Sequence, residues 1–264
     1  TEKLLAGTDS KITTVGYYCN PIQYAEHRKT HGNVICTAGK FGATHVSTFA
    51  GAWEGKPVES AYEEFGKVFR ELADLAEEKG VKLGIENCLM DGTWEHATCN
   101  IGFNPKAWEV MFEEVKNDNF GLEWEPTHQM VQLIDPVTEL RKWCKKIVHI
   151  HGKDATIDWD AVRHSGISGA VPFVWHRMPG FGDTNWRDII SILRSNGYED
   201  DICIEGYHDP VYSGELEMTG QLHALNYLKW VQGVEKFTPT PWAKIGKTDT
   251  GGFFYETWVY YINP

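Results

Sequence analysis

The chain has 264 residues, 42% hydrophobic and 23% charged, which is enough for one large α/β domain or two small ones. Its formal net charge of -12 argues against a nucleic-acid partner, because phosphate backbones require a basic surface. No apolar run approaches the ~20 residues that span a bilayer, and the amino terminus lacks the apolar core of a signal peptide. Six cysteines without CxxC pairs are typical of thiols in a reducing cytoplasm, where we expect the protein.

Strand-like and helical patterns alternate along the chain. Short apolar or β-rich runs predict strands at residues 11–18, 43–49, 81–86, 120–125, 147–151 and 201–205. Apolar residues at helical spacing, proline at first turns and glycine at ends predict helices at residues 24–40, 62–79, from Pro105, and at 135–143, 186–195 and 215–231. Residues 155–184, rich in glycine, proline and aromatic residues, are predicted to form a long connection.

Six strands separated by helical segments predict parallel pairing. No dinucleotide-binding fingerprint follows the first strand, so a closed (β/α)8 barrel is the better interpretation. A complete barrel needs eight units, and we therefore expect the first one or two strands to be absent from this sequence. We expect residues 1–231 to form the barrel domain and residues 232–264 to form a C-terminal extension of unknown role. That extension contains an aromatic, strand-like run at residues 253–262 that could cover the gap.

Four of the predicted strands end in residues that bind metals. Glu86, Glu125 and Glu205 supply carboxylates and His151 an imidazole. Because chemistry collects at the carboxyl ends of parallel strands, these side chains are expected to converge on a hard divalent cation. His149 lies on the same strand face as His151 but deeper, which favours a structural role, and Glu123 is a second-ranked rival to Glu125.

Five motifs carry a family resemblance that extends over most of the chain, about residues 11–231. They are GIEN at 84–87, EPTH at 125–128, HGKD at 151–154, PGFGDTNW at 179–186 and IEG at 204–206. In this order and spacing, the chain resembles the sugar phosphate isomerase/epimerase superfamily of xylose isomerase-like TIM barrels. The resemblance implies that the metal ligands are Glu86, Glu125, His151 and Glu205. Glu125 stands where the family generally has Asp, so its carboxylate could lie further out or bind through water.

The resemblance also implies roles for residues around the metal. Glu86 and Glu205, the first and last ligands, would act as catalytic base and acid. His128 and Arg177 would contact substrate. Independently of the resemblance, Trp53 in the loop after the second predicted strand could supply an aromatic wall for a sugar or be a buried core residue. Lys153 and Asp154 are expected to neutralise one another or to orient the ligands.

The implied chemistry is proton transfer next to a carbonyl, assisted by a divalent metal. The ligand set suits Mn²⁺, with Mg²⁺ or Co²⁺ as alternatives, and no thiolate requires zinc. We therefore expect an isomerase or epimerase acting on a keto sugar or an oxidised glycoside. The alternative is a lyase of the same barrel that cleaves a C- or O-glycoside by elimination from a 3-keto sugar.

Two further classes remain open. Acidic charge and the absence of a His-rich ligand set argue against a DNA-repair endonuclease of the related barrel. A non-catalytic sugar-binding subunit is favoured only if the missing strands are real. The expected partner is a small-molecule sugar, with no nucleic acid, no membrane and homo-oligomerisation left open.

Overall fold

A computed structural model describes residues 5–8 and 10–233 of the chain. The chain divides into two compact units, residues 1–150 and residues 151–264, and each is described by itself. The predicted division into residues 1–231 and 232–264 stays a prediction, because nearly all of the extension, with its aromatic run, lies outside the described residues. Among the helices of the described residues, none has the length and apolar character needed to cross a bilayer.

The first unit is a parallel sheet whose strands are joined by helices. The strands pair in chain order, and their bounds are β1 Thr14–Gly16, β2 His45–Thr48, β3 Lys82–Glu86, β4 Phe120–Trp124 and β5 Ile147–Gly152, the last ending in the second unit. The helices are α1 Ala25–Ala38, α2 Tyr62–Glu78, α3 Pro105–Glu114, α4 Pro126–Met130 and α5 Pro136–Trp143. The sequence predicted each of these except α4, whose five residues are too few to show a helical period.

The apolar face of α2 accounts for much of the core of this unit. Phe65 and Phe69 stack at 4.6 Å between ring centroids, and both contact Phe120 of β4. Strand β4 is buried along its whole length, as expected for a parallel strand covered on both faces. Gly121 is required there, since a Cβ at this position would collide with the carbonyl oxygen of Lys146.

The second unit contains one further parallel strand and an antiparallel pair. Beside the end of β5 lies β8, where the Glu205 amide donates to the Gly152 carbonyl at 3.0 Å. The elements are β6 Asp154–Ile157, α6 Trp159–Ser165, β7 Val174–Arg177, α7 Trp186–Ser195, β8 Ile202–Ile204 and α8 Glu217–Gln232. The described residues thus contain the six predicted parallel strands, with helices α7 and α8 near their predicted positions.

The long connection predicted at residues 155–184 contains regular structure that the sequence did not indicate. Strands β6 and β7 pair antiparallel there, with Asp154 opposite Arg177, and α6 lies between them. Each strand has only four residues, and Trp175 of β7 is exposed, so no alternation of buried and exposed residues marks them in the sequence.

Candidate active site

The carboxyl ends of β3 and β4 carry two of the predicted ligands. Glu86 is the last residue of β3 and is buried, and Glu125 directly follows β4 and is fully buried. The side chain of Asn87 joins these ends: its Nδ2 donates to the Glu125 carbonyl at 2.9 Å, and its Oδ1 accepts from the Glu125 amide at 2.7 Å. The strand-end positions predicted for Glu86 and Glu125 are therefore confirmed.

A second buried amide fixes the chain on the other side of Asn87. Asn100 Nδ2 donates to the carbonyls of Glu86 at 2.9 Å and Cys88 at 2.8 Å. Its Oδ1 accepts from the amides of Ala50 at 2.9 Å and Gly102 at 3.0 Å. Because buried amides with satisfied donors and acceptors hold their partners firmly, the backbone of residues 86–88 is rigidly placed.

His128, predicted to contact substrate, is a buried residue of α4 in the first unit. Its Nε2 lies 3.3 Å from Oε2 of Glu125. Burial lowers the pKa of this imidazole, but the charge of Glu125 and hydrogen bonds to Cys88 and Glu125 outweigh burial and hold the pKa well above 6.5.

Sequence reasoning missed Cys88 as a functional candidate. Donor atoms of Glu86, Cys88 and His128 all lie within 4.8 Å of one another, a spacing at which the three side chains could hold a metal ion. The only signal in the sequence was the position of Cys88 two residues beyond a strand-end Glu.

Glu123 and His149 form a separate buried group lower in the sheet of the first unit. The Tyr18 hydroxyl donates to Glu123 Oε2 at 2.7 Å, and Glu123 Oε1 lies 3.8 Å from His149 Nε2. Thr14 Oγ1 is 3.4 Å from the His149 ring nitrogens. These contacts fit the structural role expected for His149 and give Glu123 a partner of its own.

In the second unit, His151 and Glu205 come together. His151 Nδ1 lies 3.1 Å from Glu205 Oε2, and Lys153 Nζ lies 2.9 Å from Glu205 Oε1. Lys153 is buried, so its ammonium is held close to the carboxylate that it orients. This is one of the two roles expected for Lys153.

Asp154 has a different role from the pairing with Lys153 that the sequence left open. Its carboxylate accepts from the backbone amides of Ala155 at 2.8 Å, Gly180 at 3.0 Å and Thr184 at 2.9 Å. Burial raises the pKa of Asp154, while these hydrogen bonds act in the opposite direction. Asp154 therefore fixes the start of the PGFGDTNW segment.

The other two predicted substrate residues lie at loop and strand ends. Trp53 is half-buried in the loop after β2, within the first unit. Arg177 is the last residue of β7 in the second unit, where its Nε donates to Asp209 Oδ2 at 3.3 Å.

The four predicted metal ligands are divided between the two units, with Glu86 and Glu125 in the first and His151 and Glu205 in the second. Their assembly around one ion therefore stays a prediction.

Comparison with known proteins identifies relatives. Residues 3–240 match the family model of xylose isomerase-like TIM barrels. Inosose dehydratase of Clostridium tetani is 26% identical over 185 residues, covering 68% of this chain and 57% of that protein. Inosose dehydratase of Histophilus somni is 27% identical over 187 residues, covering 67% of this chain and 57% of that protein.

The chain thus spans less than two thirds of the length of these curated relatives. Among solved structures, a xylose isomerase domain protein from Planctomyces limnophilus aligns with a TM-score of 0.64 at 17% identity. The alignment covers 86% of this chain and 78% of that one. At this identity the likeness concerns the fold.

Proposed function

The chain belongs to the xylose isomerase-like TIM barrel family, as its motifs predicted, and we propose that it is a metal-dependent lyase. The reaction would remove water from a β-hydroxy ketone of the keto-cyclitol class. The observation that carries this proposal is the match to inosose dehydratases over two thirds of the chain. The sequence alone favoured an isomerase or epimerase, which stays a prediction, and the relatives support the lyase alternative better.

The proposed metal ligands are Glu86, Glu125, His151 and Glu205. Three carboxylates and one imidazole form an oxygen-rich donor set that fits Mn²⁺, Mg²⁺ or Co²⁺. Supporting this set, Glu86 and Glu125 are buried at neighbouring strand ends, and His151 contacts Glu205. When bound, the ion would polarise the ketone and lower the cost of removing a proton beside it.

The protein residues would then move protons. One of Glu86 and Glu205 takes the proton from the carbon next to the ketone. The electron pair of the broken C–H bond then forms a carbon–carbon double bond with the neighbouring carbon. The C–O bond of the neighbouring carbon breaks, and the leaving hydroxyl receives a proton from the other carboxyl group, so that one water is released. Lys153 keeps the Glu205 carboxylate oriented for this exchange.

Substrate contacts are proposed for His128, Arg177 and Trp53. His128 and Arg177 would hold hydroxyl groups of the ring, since each presents a polar donor fixed by a carboxylate, Glu125 and Asp209 respectively. Trp53 would cover an apolar face of the ring. A cyclitol offers both kinds of surface, as does a sugar.

The test is incubation of the purified protein and Mn²⁺ with a keto-inositol in deuterated water. A lyase yields a product that has lost one water, seen by mass spectrometry, with a new conjugated carbonyl absorbance. An epimerase instead exchanges the proton beside the ketone for deuterium without loss of water. Release of an aglycone from a 3-keto glycoside, with the keto-inositol unchanged, would identify the glycoside-cleaving reaction instead of the dehydration.

A further inference from the structure

A mixed set of metal-binding side chains lies at the carboxyl ends of β3 and β4, entirely within the first unit. Glu86 offers a carboxylate, Cys88 a sulfur and His128 a ring nitrogen, with the donor atoms within 4.8 Å of one another. Glu86 and His128 are buried, and Cys88 is partly exposed. Neither the oxygen-rich ligand set nor the substrate contacts proposed above use Cys88.

The backbone under these three side chains is fixed by hydrogen bonds. Asn100 holds the carbonyls of both Glu86 and Cys88, so the two residues keep a constant separation. Asn87, between them, holds the amide and carbonyl of Glu125, and α4, which carries His128, begins at the next residue. The Glu125 carboxylate lies 3.3 Å from His128 Nε2, the kind of contact that orients a metal-binding imidazole.

We propose that Glu86, Cys88 and His128 form a binding position for a thiophilic divalent ion of the Zn²⁺ class. Thiolate, imidazole and carboxylate together are the donors that Zn²⁺ prefers, and three protein ligands leave the fourth tetrahedral position for water. Donor atoms around such an ion lie about 3.4 Å apart. The donor atoms of the three side chains are within 4.8 Å of one another, so rotation of the side chains alone would bring them to that distance. The carboxylate and the thiolate also balance the two positive charges of the ion, which makes burial less costly.

This position shares Glu86 with the proposed catalytic ligand set and His128 with the proposed substrate contacts, and it rests on the proposed function only through these two residues. One ion at a time can use Glu86 fully. A thiophilic ion held by Cys88 therefore withdraws Glu86 from proton transfer, and Zn²⁺ is expected to inhibit the Mn²⁺-loaded protein through this position.

The experiment is a titration of the full chain with Co²⁺, followed by sulfur-to-metal charge-transfer absorbance in the near ultraviolet. The wild type and Cys99→Ser should show the band at one equivalent, and Cys88→Ser should lose it and bind Zn²⁺ at least about tenfold more weakly. Cys99 is the matched control because it lies in the same loop after β3 and is also partly exposed. A missing band in the wild type, or an unchanged band in Cys88→Ser, would overturn the proposal.

A second measurement avoids variants. Zn²⁺ should protect Cys88 of the wild-type chain from alkylation by iodoacetamide at least about tenfold more than it protects Cys99, as mapped by peptide mass spectrometry. Equal protection of the two thiols would contradict the site.

The charge-transfer band does not depend on turnover, so the two proposals can fail separately. A band without dehydratase activity refutes the proposed function alone, and activity without a band refutes this metal site alone.

Discussion

The Asn87 side chain and the Glu125 backbone form two hydrogen bonds with each other, of 2.9 and 2.7 Å. The Asn87 side chain satisfies both the backbone amide and the backbone carbonyl of Glu125. It thus continues the pairing of β3 and β4 one residue beyond the strands. The consequence is a fixed spacing between Glu86 and Glu125, the two strand-end carboxylates.

Asn87→Ala should therefore destabilise the protein and weaken metal binding together. The change leaves the buried amide and carbonyl of Glu125 without these partners, which should lower the free energy of unfolding by about 2–4 kcal/mol. Urea unfolding and Mn²⁺ titration measure the two effects. Asn33→Ala is the control, because Asn33 is exposed on α1. Unchanged Mn²⁺ affinity in Asn87→Ala would show that the hydrogen bonds of the Asn87 side chain do not position Glu125 for metal binding.

Glu86→Gln and Glu205→Gln should each reduce turnover of a keto-cyclitol by at least ~10²-fold, the scale of a lost general acid or base. Glutamine keeps the shape of the side chain but cannot take up the proton. Steady-state kinetics at saturating Mn²⁺ measure the effect and allow for weaker metal binding. Glu215→Gln, at an exposed position, should behave like the wild type. Near-wild-type turnover in either variant would remove that residue from proton transfer.

Asp209 anchors the side chain of Arg177. Its buried carboxylate accepts from the amides of Met178, Val211 and Tyr212 at 2.7–2.8 Å and from Arg177 Nε at 3.3 Å. Burial tends to raise its pKa, but these hydrogen bonds and the Arg177 charge outweigh burial and lower it.

Asp209→Asn places an amide donor against these donors and should release Arg177. The KM for substrate should rise about tenfold, the cost of one charged hydrogen bond, with a smaller change in kcat. Asp160→Asn is the control, since Asp160 pairs with Arg163 at an exposed site. If kcat fell while KM stayed constant, Arg177 would not be a substrate-binding residue.

The strand-end positions of the proposed ligands were predictable, because an apolar run that stops at a carboxylate or an imidazole marks the carboxyl end of a strand. Glu86 and Glu125 follow this rule, and so do His151 and Glu205, which contact each other. Cys88 was not predictable, because it lies past the strand, where no periodicity fixes the direction of a side chain. Its placement depends on Asn100, which is 12 residues away in the sequence.

Side-chain partners also decided roles that the sequence left open. Lys153 and Asp154 are adjacent and of opposite charge, so mutual neutralisation was a reasonable expectation. In the fold, successive side chains take different directions: Lys153 reaches Glu205, and Asp154 binds backbone amides of a later segment. Such long-range hydrogen bonds leave no pattern in a single sequence.

His31 provides a test of stability against pH that is independent of the metal ligands. It is fully buried on α1, stacks on Tyr17 at 6.2 Å, and neither ring nitrogen has a hydrogen-bond partner within the described residues. Burial lowers its pKa from 6.5 to about 4, because the charged imidazole would lose its hydration without compensation.

Well above pH 6.5 the imidazole is neutral in both the folded and the unfolded state, so it does not contribute to the pH dependence of stability. Between pH 6.5 and about 4 the unfolded chain takes up a proton that the folded protein does not, so stability falls as pH falls. The loss in the free energy of unfolding should reach about 2 kcal/mol at pH 5.

His31→Leu removes this group. Between pH 7 and pH 5 the free energy of unfolding of the variant, measured with urea, should therefore rise by about 2 kcal/mol relative to that of the wild type. His96→Leu, at an exposed position, should show no such gain. If the difference between wild type and His31→Leu were the same at both pH values, His31 would not be the buried neutral imidazole described here.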